Sequence, residues 1–359
     1  MTRFLKTSLI LIVFLMMGLM GGGPDPILAD QSKVVLVGGG QAYKPLDDFV
    51  LESESPTIAG DSWYVDSGKT ASGDGKSWDY AVITLNEAID LATASNGDVI
   101  HVAPGHAETI NAATDVVLDV IGLTIIGYGK GRQRPTFSWA TLSAATFPIS
   151  VVDVVLKNMV FDGSSTAAAG PTAMFTVTAA GFQLIGSEII IADATEAAVL
   201  VITGNTDADR MKVIGNRFYG TSAETGCSAA ITFTGLADDI EIAYNTFEAD
   251  FATAAIYAAT AVTQMNIHHN YIYNYQNAAH AIEFSADVLG TIAYNQLVTD
   301  VYASALDSGA CDVFETYWGD DEVDDVMAVQ VWTNEDGAVT WSATQLVVME
   351  TQANDALVD

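Results

Sequence analysis

An all-β architecture, a single-stranded right-handed parallel β-helix with a short N-terminal capping helix and a C-terminal β-hairpin cap, is the fold class that this 359-residue chain predicts. One six-residue segment recurs at near-constant spacing, its flanking columns are uniformly apolar, and another short apolar run falls once in each interval. Self-similarity at a period of about 20–50 residues marks stacked repeats, in which no single unit buries its own apolar face.

Along the chain, Arg3 and Lys6 precede an apolar run at 9–20, and a small-residue stretch ends at Ala29. This is the layout of a secretory signal peptide over residues 1–29, with an uncleaved N-terminal anchor as the alternative. The run is too short for a membrane span of about 20 residues, and no later stretch approaches that length, so no stable span is expected after cleavage. Residues 30–60 read as a Gly- and acid-rich lead-in. Glycines 38–40 follow four apolar residues at 34–37 but lack G-x-G-x-x-G spacing, so a nucleotide loop is rejected. Thr84 and Glu87 form a capping-box pattern ahead of Leu85, Ala88, Ile89 and Ala92 at helical spacing, which predicts a short amphipathic helix. That helix is expected to cover a first coil beginning at 98–102.

The β-helix is expected over 61–312. The recurring segment reads VLKNMV at 155–160, LIGSEI at 184–189, VIGNRF at 213–218, IAYNTF at 242–247, IHHNYI at 267–272 and IAYNQL at 292–297. Its Asn or Ser positions 158, 187, 216, 245, 270 and 295 are separated by 29, 29, 29, 25 and 25 residues. The residues three before and two after are all apolar, which predicts two inward-facing strands. The Asn marks the corner between them, since it tolerates a left-handed backbone. Stacked corners would align Asn158, Asn216, Asn245, Asn270 and Asn295 as an amide ladder. A third strand falls at 173–175, 198–200, 230–232, 255–257 and 281–283. Residues 313–359 are expected to form a C-terminal cap or oligomerisation segment, with a hairpin built from 329–332 and 338–341 around Asn334-Glu335-Asp336-Gly337. Cys227 and Cys311 fall at similar places about three coils apart, on the order of 14 Å by strand spacing. That is too far for a disulfide, so they are expected free or paired between subunits.

The segment WYVDSG at 63–68, the GDGKSW at 73–78 and the GDVIHVAPG at 97–105, together with the repeats at 213–218 and 242–247, resemble right-handed β-helix proteins of the pectin-lyase-like superfamily. The resemblance covers roughly 61–312. It implies the fold but not one activity, because the superfamily includes polysaccharide lyases, glycoside hydrolases, adhesins and viral tailspikes. Its lyases typically use an Arg or Lys base, commonly with calcium. Here no Lys or Arg follows Arg217, and Lys157, Arg210, Lys212 and Arg217 have no acidic calcium cluster near them in sequence. The polygalacturonase pattern also fails, since Asp238-Asp239 lacks its companion motifs.

The resemblance implies a cleft beside the third strand, where Phe175, Leu200, Thr232, Tyr257 and Glu283 should point outward. With one carboxylate in that row, packing against sugar rings or a subunit fits better than glycoside cleavage by a pair. The candidate binding residues are Phe175, Leu200, Tyr257, Tyr271 and Tyr273. His268, His269, His280 and Glu283 form the richest polar cluster, and His268, His269 and Glu283 are the candidate acid–base or ligand residues. His269 shares a column with Tyr244 and Tyr294, so a ring ladder is the alternative. The acidic loop with Asp320, Asp321, Asp324 and Asp325 has the oxygens for Ca²⁺ but not EF-hand spacing, and a solvated loop is the competing reading. No other cofactor is implied.

The net charge is −32, and 22 of the 45 acids lie after Arg217 with neither Lys nor Arg among them. Nucleic-acid binding through a basic surface is excluded. The expectation is an exported, non-catalytic structural or adhesive protein, secreted or at a cell surface or on a virion, homotrimeric and able to bind polysaccharide. The alternative is a polysaccharide lyase or glycoside hydrolase.

Overall fold

The structure is a computed structural model that describes residues 35–37, 41–43, 60–139, 144–163, 171–191, 200–220, 227–276, 279–299, 305–320 and 328–330. The chain divides into two compact units, residues 1–57 and 58–359. In the first, Val35–Val37 and Gln41–Tyr43 pair antiparallel on either side of the three glycines. The glycine run thus separates two hairpin strands, as small residues commonly do.

The second unit is a parallel β-solenoid of three sheets. Among the described residues, sheet A has ten strands, from Ser62–Val65 to Asp312–Phe314. Sheet B also has ten, beginning at Ala107–Ile110, and sheet C has seven, from Phe147–Ile149 to Leu306–Asp307. From Thr124–Gly127 onward the chain runs A, B, C and back to A, so each of these coils contributes one strand to each sheet. Every pairing within these sheets is parallel except that of Thr316–Asp320 with Ala328–Gln330 at the end of sheet B. The expected partner strand at 338–341 lies outside the described residues. No helix among the described residues is long and apolar enough to cross a membrane.

Inward columns from the three sheets fill the bore. Leu156, Leu184, Val213, Ile242, Ile267 and Ile292 come from sheet A, Phe161, Ile189, Phe218, Phe247, Ile272 and Leu297 from sheet B, and Phe175, Ile202, Ile231, Ile256 and Ile282 from sheet C, all fully buried. β-Branched and aromatic side chains suit such stacked columns, and Phe218 lies 4.6 Å from Phe247, ring on ring.

The coils begin one strand earlier than 98–102. Ser62–Val65 pairs in register with Val99–Val102, and its Trp63 and Val65 already alternate into the core. The helix spans Leu85–Leu91 between these two strands, with both halves of the Thr84–Glu87 capping box formed and Leu85, Ala88 and Ile89 buried. Ala92 falls just past its end in extended backbone. At the other end the repeat continues beyond 312, because Asp312–Phe314 and Thr316–Asp320 extend sheets A and B with Thr316 where earlier coils have Asn.

The first repeat is displaced by one residue from the sequence alignment. Lys157 pairs with Ile185, so Asn158 aligns with Gly186 and Met159 with Ser187. Asn158 therefore does not join the amide ladder: it takes the left-handed corner itself, at φ 56°, and donates to the carbonyls of Gly127 and Gly129. In later coils the left-handed residue precedes the Asn: Gly186, Gly215, Tyr244, His269 and Tyr294 have φ 54–67°. The next position is buried. Asn216, Asn245, Asn270 and Asn295 form a row in which the backbone N–H and side-chain Nδ2 of each donate to Oδ1 of the next, at 2.9–3.1 Å. Each of the four Nδ2 groups also donates to a sheet A carbonyl, those of Leu184, Val213, Ile242 and Ile267.

Cys227 opens the sheet C strand Cys227–Phe233, whereas Cys311 precedes a sheet A strand, so the two are not equivalently placed. Their thiols are not bonded to each other. Each donates to a backbone carbonyl, of Ala229 and Val288, and burial pushes both up to about 12.

Candidate functional site

Sheet C carries a continuous polar column. Thr176, Thr203, Thr232, Tyr257, Glu283 and Asp307 are register partners on successive coils, about 4.8 Å apart. They alternate with the inward column of Phe175, Ile202, Ile231, Ile256 and Ile282, and so face outward. Thr203 and Thr232 are nonetheless 8% and 3% exposed, and neither hydroxyl has a hydrogen-bond partner among the described residues. Farther along, Ser285 donates to the Tyr257 hydroxyl at 2.8 Å, and His280 Nδ1 lies 3.3 Å from Glu283 Oε2.

Two residues predicted for this face are not on it. Phe175 is fully buried and packs edge-on against Phe161 at 4.9 Å. Leu200 pairs with Ala173 and Ala229, outside the Thr–Tyr–Glu column. Met174 and Phe175 are adjacent and both buried, so no polar alternation fixes the phase of this strand in the sequence. Asp307 was missed, although Ala305-Leu306-Asp307 repeats the small–apolar–acid pattern of Ala281-Ile282-Glu283.

Tyr271 and Tyr273 lie on sheet B instead. Tyr271 stacks above Thr246 and Arg217, and Tyr273 above Glu248 and Tyr219. Arg217 pairs with Glu248 at 3.1 Å and covers the Tyr219 ring, while Arg134 pairs with Glu188. Burial, and then the Glu248 charge, raise the Tyr271 hydroxyl above its usual range.

His268 and His269 occupy the corner between sheets A and B, apart from Glu283 on sheet C. Their carboxylate is Glu241, whose Oε1 is 3.5 Å from His268 Nε2 and whose Oε2 accepts from Lys212 at 2.7 Å. Burial pushes the Glu241 carboxyl up, but Lys212 and then His268 more than offset this and leave it below its ordinary value. His269 stacks between Tyr244 and Tyr294, with centroids at 4.9 and 5.0 Å. Asp320 ends the last parallel strand of sheet B, and Asp321, Asp324 and Asp325 lie outside the described residues. Among the described residues no group of three or more His, Cys, Asp or Glu side chains converges to hold a metal.

Near the entry end of sheet A, Tyr64, Trp78, His101 and Tyr128 form a ring cluster. The buried His101 shares a 2.9 Å hydrogen bond with the Tyr128 hydroxyl, and burial lowers its basicity. The edge-to-face contacts of Trp78 with Tyr64 and Tyr128 make this a local packing cluster over the sheet.

Three stacked parallel sheets define a parallel β-helix protein, the fold that the resemblance to the pectin-lyase-like superfamily implies. No protein-family model and no curated protein sequence matches the chain. Among solved structures it is similar to a rhamnogalacturonan lyase, at 14% identity over 67% of this chain and 70% of that chain, with a TM-score of 0.35.

Proposed function

We propose that this is an exported, non-catalytic adhesive protein that holds a polysaccharide along the outer face of sheet C. The observation that carries the reading is the outward column of register partners Thr203, Thr232, Tyr257, Glu283 and Asp307 on successive coils. The adjoining Tyr257 ring supplies an apolar face for a sugar, and one strand spacing of about 4.8 Å per coil gives a row of equivalent contacts.

Three of the bases considered for a lyase are engaged elsewhere: Arg210, Lys212 and Arg217 pair with Asp153, Glu241 and Glu248 on other coils. The segment 1–29 supports export to a cell surface or virion, and the homotrimer and the Ca²⁺ loop at Asp320, Asp321, Asp324 and Asp325 belong to the same proposal. Binding of the full chain to a panel of uronate and neutral polysaccharides tests it. Tyr257→Ala is expected to weaken retention about tenfold, corresponding to about 1.4 kcal/mol. Retention of no glycan, or equal retention by Tyr257→Ala, would refute the assignment.

A hydrolytic reading draws on one observation, the register pairing of Glu283 with Asp307. Retaining glycosidases use two carboxyl groups about 5–5.5 Å apart. Product detection on the same panel separates the two readings: cleavage that disappears in Glu283→Gln would overturn the non-catalytic one.

A further inference from the structure

A separate site stands at the corner between sheets A and B and does not depend on the glycan reading. His268 ends the strand Val262–His268, and His269 takes the corner with φ 54°. Their Nδ1 atoms are 3.0 Å apart. Two imidazole nitrogens that close need a proton or a cation between them.

Their surroundings fix which atoms are lone pairs. A carboxylate accepts, so Glu241 beside His268 Nε2 places the ring hydrogen there and leaves Nδ1 with its lone pair. Lys212 in turn holds Glu241. A carboxylate behind an imidazole, setting its tautomer and raising its basicity, is the usual outer partner of a metal-bound histidine. His269 is held between the Tyr244 and Tyr294 rings and is exposed to solvent. The χ2 torsion of histidine is broad, so a modest ring rotation turns both Nδ1 lone pairs toward one point.

We propose that His268 Nδ1 and His269 Nδ1 chelate one divalent transition-metal ion of the Cu²⁺ or Ni²⁺ class, with water completing its coordination. With the 3.0 Å separation kept through that rotation, metal–nitrogen distances of about 2.0–2.1 Å give an N–metal–N angle of roughly 91–97°. That is the cis angle of a square or tetragonal site, which Cu²⁺ and Ni²⁺ favour, and is narrower than a tetrahedral angle. On binding, the hydrogen shared between the two Nδ1 atoms moves to His269 Nε2, so the pair keeps its proton count. The charge of −32 attracts cations to the surface.

Calorimetric titration of the full chain with CuCl₂ in excess CaCl₂, paired with electron paramagnetic resonance, tests the site. One Cu²⁺ per chain is expected, with superhyperfine splitting from two nitrogens. His269→Asn keeps a residue that tolerates the left-handed corner and should weaken binding at least tenfold. Glu241→Gln keeps both nitrogens and should weaken it about 10–100-fold. His280→Gln should leave it unchanged. Absence of a stoichiometric nitrogen-coordinated signal, or full binding by both His269→Asn and Glu241→Gln, would overturn the proposal.

Discussion

Asp98 is 1% exposed, and its carboxylate takes four hydrogen bonds, from the backbone of Asp61 and Thr93, the Trp63 indole and the Asn96 amide. It ties the strand Ser62–Val65 to the chain that leaves the helix, at the point where coiling starts. Removing it strands several buried donors, so Asp98→Ala should destabilise the solenoid by about 3–5 kcal/mol in urea unfolding. Burial pushes this carboxyl up, but the four donors outweigh it and hold it below its ordinary value. The unfolded chain therefore takes up this proton at higher pH than the folded one. Asp98 contributes fully above the ordinary carboxylate range, and the contribution is lost as pH falls below that range toward the folded value. Asp98→Asn should flatten that part of the pH profile, and an unchanged acid limb would contradict the assignment. Neither the burial nor the set of partners of Asp98 could be read from the sequence, because three of the four come from residues 5 to 37 positions away.

The Asn row acts at the scale of the coil. Asn245 accepts from the backbone and side chain of Asn216 and donates to Asn270 and to the Val213 carbonyl. Asn245→Ala should therefore cost about 3 kcal/mol or more, and Asn245→Asp should not rescue it, because a carboxylate cannot donate to Asn270. Equal stability of the alanine variant in thermal unfolding would show that the row adds nothing. The period, the inward columns and the capping helix were legible because each is a local pattern repeated many times. The phase of the first coil was not. Asn serves two purposes here, a left-handed corner at Asn158 and a ladder from Asn216 onward, and one letter cannot distinguish them. Sheet C lost its phase for a related reason: adjacent apolar residues such as Met174 and Phe175 give no alternation, which moved Phe175 from the predicted face into the core.

Over the whole molecule, charge is arranged along the stack. Ion pairs join different coils at Arg134–Glu188, Arg210–Asp153, Lys212–Glu241 and Arg217–Glu248, and all of these bases lie at or before Arg217. Later coils have no Lys or Arg to offset Glu283, Asp307, Asp312 and Glu315, and a parallel stack repeats such charges every strand spacing, about 4.8 Å. Self-repulsion there is long-ranged at low salt, with a screening length of about 30 Å at 0.01 M, and short-ranged at 0.15 M, where it is about 8 Å. The surface ion pairs of the earlier coils are worth little each, so screening them costs less than screening the repulsion gains. The thermal midpoint should therefore rise as NaCl increases from 0.01 to 0.15 M on the Debye argument. Asp312 is exposed on the last strand of sheet A, beside Thr291. Asp312→Lys should raise the midpoint at low salt and reduce the gain on adding salt. A midpoint that is flat or falls with salt would mean that the acidic coils are not under net electrostatic strain.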